Sequence, residues 1–135
     1  GSIKARWDRD KTLRALVPGG LHHLDNTDTK SPWARFWLEE ESPEFNSGKV
    51  YTQEVVLNLG VFSTAGPVDS GKLGLAIERL FNRDRPRDFL LPGPNGKMLN
   101  LMPEAGALEL DDNSREAKAV LLLSKRYRLM VQGDQ

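Results

Sequence analysis

The residue types able to do chemistry are few, and their spacings decide what each can do. Both histidines of the chain are adjacent, in His22-His23-Leu24-Asp25. A zinc centre needs several nitrogen, oxygen or sulfur ligands converging on one point. Neighbouring side chains on a strand point to opposite faces, and no H-E-x-x-H spacing brings two imidazoles to one helix face. The pair therefore reads as polar loop chemistry rather than a metal site. Glu39-Glu40-Glu41, with Glu44 close behind, is the densest carboxylate run. Acid–base catalysis by paired carboxylates requires two groups facing one substrate in unlike environments. A run at a strand end is a solvated edge, or an acidic edge facing a basic loop on a neighbouring subunit. Gly66 and Gly71-Lys72 have the separation of a phosphate-binding loop, but Leu73 stands where a serine or threonine would hold magnesium. That segment reads as a helix start. No G-x-S-x-G nucleophile elbow exists. These motifs lead to the expectation of a non-enzyme with no catalytic residue, no metal and no cofactor.

Composition narrows the classes further. The chain has 135 residues, 39% hydrophobic and 28% charged, which suits one globular domain with a real core. Nineteen basic and nineteen acidic residues balance to zero net charge. There is no global positive field to hold a polyanion, so specific nucleic-acid binding is not expected. Weak charge repulsion between copies permits self-association. With no cysteine, disulfides, thiolate catalysis and cysteine-ligated metals are excluded. No apolar run has the length of a membrane span, so no membrane partner is expected. Gly1-Ser2 reads as the scar of a cleaved tag, and no signal peptide is expected from the charged residues that follow.

The elements that must position these residues follow from periodicity. Residues 3–17 predict a helix with Ile3, Trp7, Leu13, Leu16 and Val17 on one side, stopped by Pro18-Gly19-Gly20. Residues 21–32 read as an irregular connection, and Trp33–Glu40 as an aromatic strand. Asn46-Ser47-Gly48 suits a hairpin turn. Lys49–Ser63 alternates clearly, with Tyr51, Val55, Leu57, Leu59 and Val61 on one face and Thr52, Glu54 and Asn58 on the other. Leu73, Ala76, Ile77, Leu80 and Phe81 mark one face of a helix running from about Ser70 to Asn82. After the mixed-charge loop Arg83-Asp84-Arg85-Pro86-Arg87-Asp88, short strands are expected at 89–91, 97–102 and 107–111. The segment 117–131 reads as a strand with Leu121, Leu123, Tyr127, Leu129 and Val131 on one face. Its other face carries Ser124, Arg126, Arg128 and Gln132: a solvated sheet face or a charged subunit contact. The fold class is α+β, a mainly antiparallel sheet with two helices on one face, in a single domain over 1–135.

The order as a whole resembles a known group. A leading helix ends in Val17-Pro18-Gly19-Gly20-Leu21-His22-His23-Leu24. Lys30-Ser31-Pro32-Trp33-Ala34-Arg35-Phe36 leads into an aromatic strand, and Tyr51–Ser63 forms the long strand. Ala76-Ile77-Glu78-Arg79-Leu80-Phe81 and a charged, then apolar, terminal strand complete it. Over residues 10–132 this order, length and hydrophobic pattern is similar to the tail-completion and tail-terminator proteins of long-tailed bacteriophages and phage-derived particles. The extended 82–106 segment departs from that pattern and puts the local sheet topology in question. The resemblance implies a ring, typically of six subunits, at the head-proximal end of the tail tube. It implies assembly in the bacterial host cytoplasm and residence in the virion, with the tail tube protein and the head–tail connector protein as partners. The expected contact residues are Glu39, Glu40, Glu41, Arg83, Arg85, Arg87, Arg126 and Arg128, which would set register by charge complementarity. Rival expectations are a neck or head–tail adaptor, a small ligand-binding accessory domain with a defined pocket, and an enzyme built on the histidine loop and glutamate run.

Overall fold

Fourteen residues make the central strand, and the rest of the fold is arranged around it. The computed structural model describes residues 3–23, 30–40, 45–47, 50–64, 70–80 and 97–134. Strand β4 (Val50–Ser63) pairs antiparallel with β2 (Trp33–Glu40) on one side and β6 (Val120–Asp134) on the other. The two-residue β1 (Leu21–His22) adds a parallel pair beyond β2, and β5 (Lys97–Pro103) lies antiparallel outside β6. The sheet order is β1-β2-β4-β6-β5, and β3 (Phe45–Ser47) pairs with the start of β4. The α+β class, with a mainly antiparallel sheet, is thus observed.

Register assigns the faces. Ala34 lies opposite Val61, Phe36 opposite Leu59 and Tyr127 opposite Leu57. These side chains form one face, and all are buried. Helices α1 (Ile3–Arg9), α2 (Lys11–Leu16) and α3 (Ser70–Leu80) supply Ile3, Trp7, Leu13, Leu73, Ala76, Ile77 and Leu80 to the same core cluster. The short α4 (Arg115–Lys118) serves the other face through Glu116.

Several sequence expectations need correction. The leading helix is broken at Asp10, whose extended backbone caps α2 while its carboxylate accepts from Leu13 N at 3.1 Å. Asp is a strong N-cap because its oxygen satisfies a backbone N–H that the helix leaves unpaired. The break turns α2 so that Leu13 stays buried. Substituting Asp10→Ala is expected to cost about 1 kcal/mol, read as a lowered urea midpoint with an unchanged m value. A midpoint equal to that of the parent would refute the capping role.

Residues 21–22, expected to be irregular, pair as β1, and Asn46-Ser47 lie within β3 rather than in a turn. Residues 107–111 form no strand; they cross the second face of the sheet as irregular chain. The terminal strand starts at Val120, because Ser114 caps α4 with its hydroxyl accepting from Ala117 N at 3.2 Å. Val61 pairs with Leu123 but Phe62 with Leu121, so Leu122 is a bulge residue. That shift moves Leu121 off the face predicted for it and leaves it 44% exposed. The expected strand at 89–91 and the loop 83–88 lie outside the described residues.

Asn58 falls on the second face of β4, yet β4 is buried without interruption from Val55 to Ser63, Asn58 included. Gly60 explains the close cover: a Cβ there would meet the Phe62 ring at 2.6 Å and Leu108 Cδ1 at 2.9 Å. The chain between β5 and β6 therefore lies directly against the sheet on the side away from the three helices.

Candidate functional site

Three adjacent strands turn charged side chains to this second face. β2 offers Arg35, Trp37 and Glu39; β4 offers Glu54 and Asn58; β6 offers Arg126 and Arg128. Cross-strand register sets Arg126 opposite Asn58 and Asn58 opposite Trp37. Arg126 Nε donates to Asn58 Oδ1 at 2.8 Å, and its guanidinium lies 3.6 Å from Glu39 Oε2. It also donates to the carbonyl of Ala105. Gly106, at φ +115°, lets the chain turn directly over this guanidinium, where a Cβ would collide with it. Arg128 holds Glu104 in a two-pronged pair, Nε to Oε2 at 2.9 Å and Nη2 to Oε1 at 3.0 Å, and reaches Glu54 at 3.4 Å. Farther along, Arg35 faces the buried Glu116 carboxylate at 3.7 Å and lies over the Trp37 ring. Glu116 also accepts from Trp33 Nε1 at 3.1 Å. The face is a lattice of ion pairs that ties the 104–119 segment to the sheet.

The Arg128 hydrogen bonds hold the Glu104 carboxyl below the usual glutamate range; burial opposes this, and the charges of Arg128 and Arg126 reinforce it. A depressed folded-state pKa means the pair stabilises fully above the ordinary glutamate range and loses that contribution as pH falls through the folded value. The expected result is a stability gap between the parent and Glu104→Gln that is constant near neutrality and shrinks in acid. Urea midpoints across a pH series would read it. A gap that widened on acidification would refute the assignment.

Opposite charges also separate across the sheet. On the helical side, residues 3–17 carry Lys4, Arg6, Arg9, Lys11 and Arg14 against Asp8 and Asp10, and α3 adds Lys72 and Arg79 against Glu78. A groove between α2 and α3 is lined by Lys11, Ala15, Leu16, Lys72, Leu75 and Arg79. Leu75 is 68% exposed there, and Arg79 lies 3.9 Å from Asp10. On the opposite side, residues 104–112 carry Glu104, Glu109, Asp111 and Asp112 and no basic residue. Glu109, Asp111 and Asp112 are exposed.

The sequence-selected residues divide accordingly. Glu39, Arg126 and Arg128 come together on the second face, and Arg126 pairs with Glu39 directly. Glu40 continues β2 opposite Val55. Glu41, Arg83, Arg85 and Arg87 lie outside the described residues, as do Glu44, Gly66 and Asp25. The histidines do not converge: His22 Nε2 donates to the Gly19 carbonyl at 2.7 Å, while His23 stacks on Phe36 with centroids 5.0 Å apart. Among the described residues no group of three potential metal ligands occurs, and no helix is long and apolar enough to cross a membrane. Sequence reasoning missed Arg35, Glu104 and Glu116 as members of the lattice. Arg35 was legible from the alternation of β2. Glu104 and Glu116 sit outside any long periodic element and carried no signal.

No protein-family model matches the chain, and no curated protein matches it.

Proposed function

We propose that the chain is a structural assembly protein of a long-tailed bacteriophage or phage-derived particle. In this reading it is a tail terminator whose copies close into a ring at the head-proximal end of the tail tube. The observation that carries the reading is the separation of a basic helical face from an acidic segment on the opposite face of one sheet. Two complementary surfaces on opposite sides of one subunit cannot meet in a two-fold dimer. They meet head to tail, and a head-to-tail contact repeats until it closes as a ring or runs on as a filament. The ion-pair lattice gives such a subunit a rigid sheet. The order of elements over 10–132 adds its resemblance to tail-completion proteins. The tail tube protein and the head–tail connector protein are then the axial partners, and the virion is the site of action.

The test is native mass spectrometry over a concentration series, followed by negative-stain imaging with the tail tube protein of the same particle. The expected result is one closed oligomer, alone or on the tube, and tubes capped at one end. A chain that stays monomeric by itself and leaves tube growth unchanged would overturn the proposal.

A further inference from the structure

We infer that the acidic segment around Glu109–Asp112 of one copy seats in the groove between α2 and α3 of the next. The inference rests on the ring reading above and names the contact that would build it. Each half has the chemistry the other lacks. The groove is lined by the cations of Lys11, Lys72 and Arg79, the last 3.9 Å from Asp10, together with the apolar Ala15, Leu16 and Leu75. Leu75 is the most exposed large hydrophobic residue described, at 68%, although it lies on a helix otherwise packed into the core. Glu109, Asp111 and Asp112 alternate with the half-buried Leu108 and Leu110. The segment thus brings three carboxylates and an apolar component to a surface of the same mixed character. Opposite charges of this kind steer encounter and fix register more than they add affinity. Covering Leu75 supplies apolar burial that charge alone does not.

The segment's position is held from both ends. Leu108 packs at Gly60, and Ser114 N donates to the Asp111 carbonyl at 2.9 Å just before Glu116 plunges to Trp33. Asn113 N donates to Asp111 Oδ1 at 2.9 Å, which shapes the turn, and Glu109 and Asp112 are exposed on either side of Asp111. Because the sheet separates groove and segment, no chain can satisfy the contact with its own segment. Every pairing joins two copies and leaves one groove and one segment open for a third.

The absence of cysteine makes this contact directly testable. Lys11 and Asp112 are both exposed, so Lys11→Cys and Asp112→Cys leave the core untouched. With a short bismaleimide, the Lys11→Cys/Asp112→Cys double variant is expected to give a covalent ladder that ends at the ring size. Mixing the two single variants is expected to stop at the dimer, and each single variant alone at the monomer. In parallel, Lys11→Glu is expected to weaken association, and Glu109→Lys in the partner copy to restore it. A ring seen by native mass spectrometry without the ladder and without the rescue would overturn this contact while leaving the ring reading intact. A strict monomer, alone and with tail tubes, would overturn both.

Discussion

Substituting Glu116→Ala is expected to lower stability by about 3 kcal/mol, because it leaves the Arg35 guanidinium facing no countercharge in a largely buried site. Glu116 is 1% exposed, and its two oxygens do separate work. One accepts from Trp33 Nε1 at 3.1 Å, and the other faces Arg35 Nη1 at 3.7 Å. Trp33 is fully buried, stacks on Phe62 and carries the Arg115 guanidinium 3.7 Å from its ring centroid. Removing the carboxylate orphans the indole N–H and strips the guanidinium of its anion at the same time. Arg35 is 20% exposed, so water relieves part of the penalty and places the cost at the low end of the range for broken buried pairs. Glu116→Gln keeps an acceptor for the indole but still strips Arg35 of its anion, so it should retain most of that cost and spare only the part owed to the indole hydrogen bond, about 1 kcal/mol. The Arg35→Ala/Glu116→Ala double variant should lose less than the sum of its singles, since the second change removes a group already orphaned. Urea unfolding of the parent, the three single variants (Glu116→Ala, Glu116→Gln and Arg35→Ala) and the double variant measures these differences. A Glu116→Ala midpoint within error of the parent would show that the α4 carboxylate holds nothing in place.

This pair also marks where sequence reading stopped. Periodicity located β4 and α3 because their apolar residues repeat at two or 3.6 positions over a long window, and β2 read as a strand from its aromatic residues between Pro32 and Pro43. It failed on residues 104–119, whose structure depends on local capping and on partners far along the chain. Leu108-Glu109-Leu110 alternates and so suggested a strand. In the fold the chain there has no sheet neighbour and is fixed by Leu108 against Gly60 and by Glu104 on Arg128. Asn58 falls on the polar face of β4 by the same kind of alternation, yet it is buried. Alternation separates two faces but cannot say whether a later segment will cover the polar one. Asn58 Oδ1 is taken by Arg126, while its Nδ2 has no hydrogen-bond partner among the described residues. Of the predicted contact set, the alternation of β6 placed Arg126 and Arg128 correctly side by side. Their partners, Glu39 for Arg126 and Glu54 and Glu104 for Arg128, come from three separate strands or loops that only the fold brings together.

The lattice and the helical face contribute differently to an assembly role. Ion pairs between β2, β4, β6 and the 104–119 segment fix that segment's position, and a fixed segment loses little entropy when it docks. The helical face must be equally rigid to receive it. In the proposed contact its rigidity begins with the core residues of α1 and α3, of which Trp7 is the largest side chain.

Trp7→Ala is expected to destabilise the protein by about 3–5 kcal/mol, the usual cost of emptying a buried aromatic site. Trp7 is 0% exposed and belongs to the same core cluster as Leu73, Ile77 and Val61. Its helix has seven residues, too few to persist without tertiary packing. Two long-range hydrogen bonds from α1, Lys4 Nζ to the Leu21 carbonyl at 3.1 Å and Arg6 Nη1 to the Leu80 carbonyl at 3.4 Å, should hold only while the indole pins the helix. Melting of α1 should follow, seen as faster amide exchange over residues 3–9 than over β4. Trp7→Phe should cost much less than the alanine change. The indole Nε1 has no hydrogen-bond partner among the described residues, so phenylalanine removes a buried donor that gains nothing where it is. The pair of variants separates packing from hydrogen bonding: equal losses would mean that Nε1 is satisfied after all, and two small losses would mean that α1 is not part of the core. In the proposed ring, a melted α1 would loosen the neighbouring α2 wall of the groove, so Trp7→Ala should weaken the proposed oligomer at temperatures where the sheet is still folded.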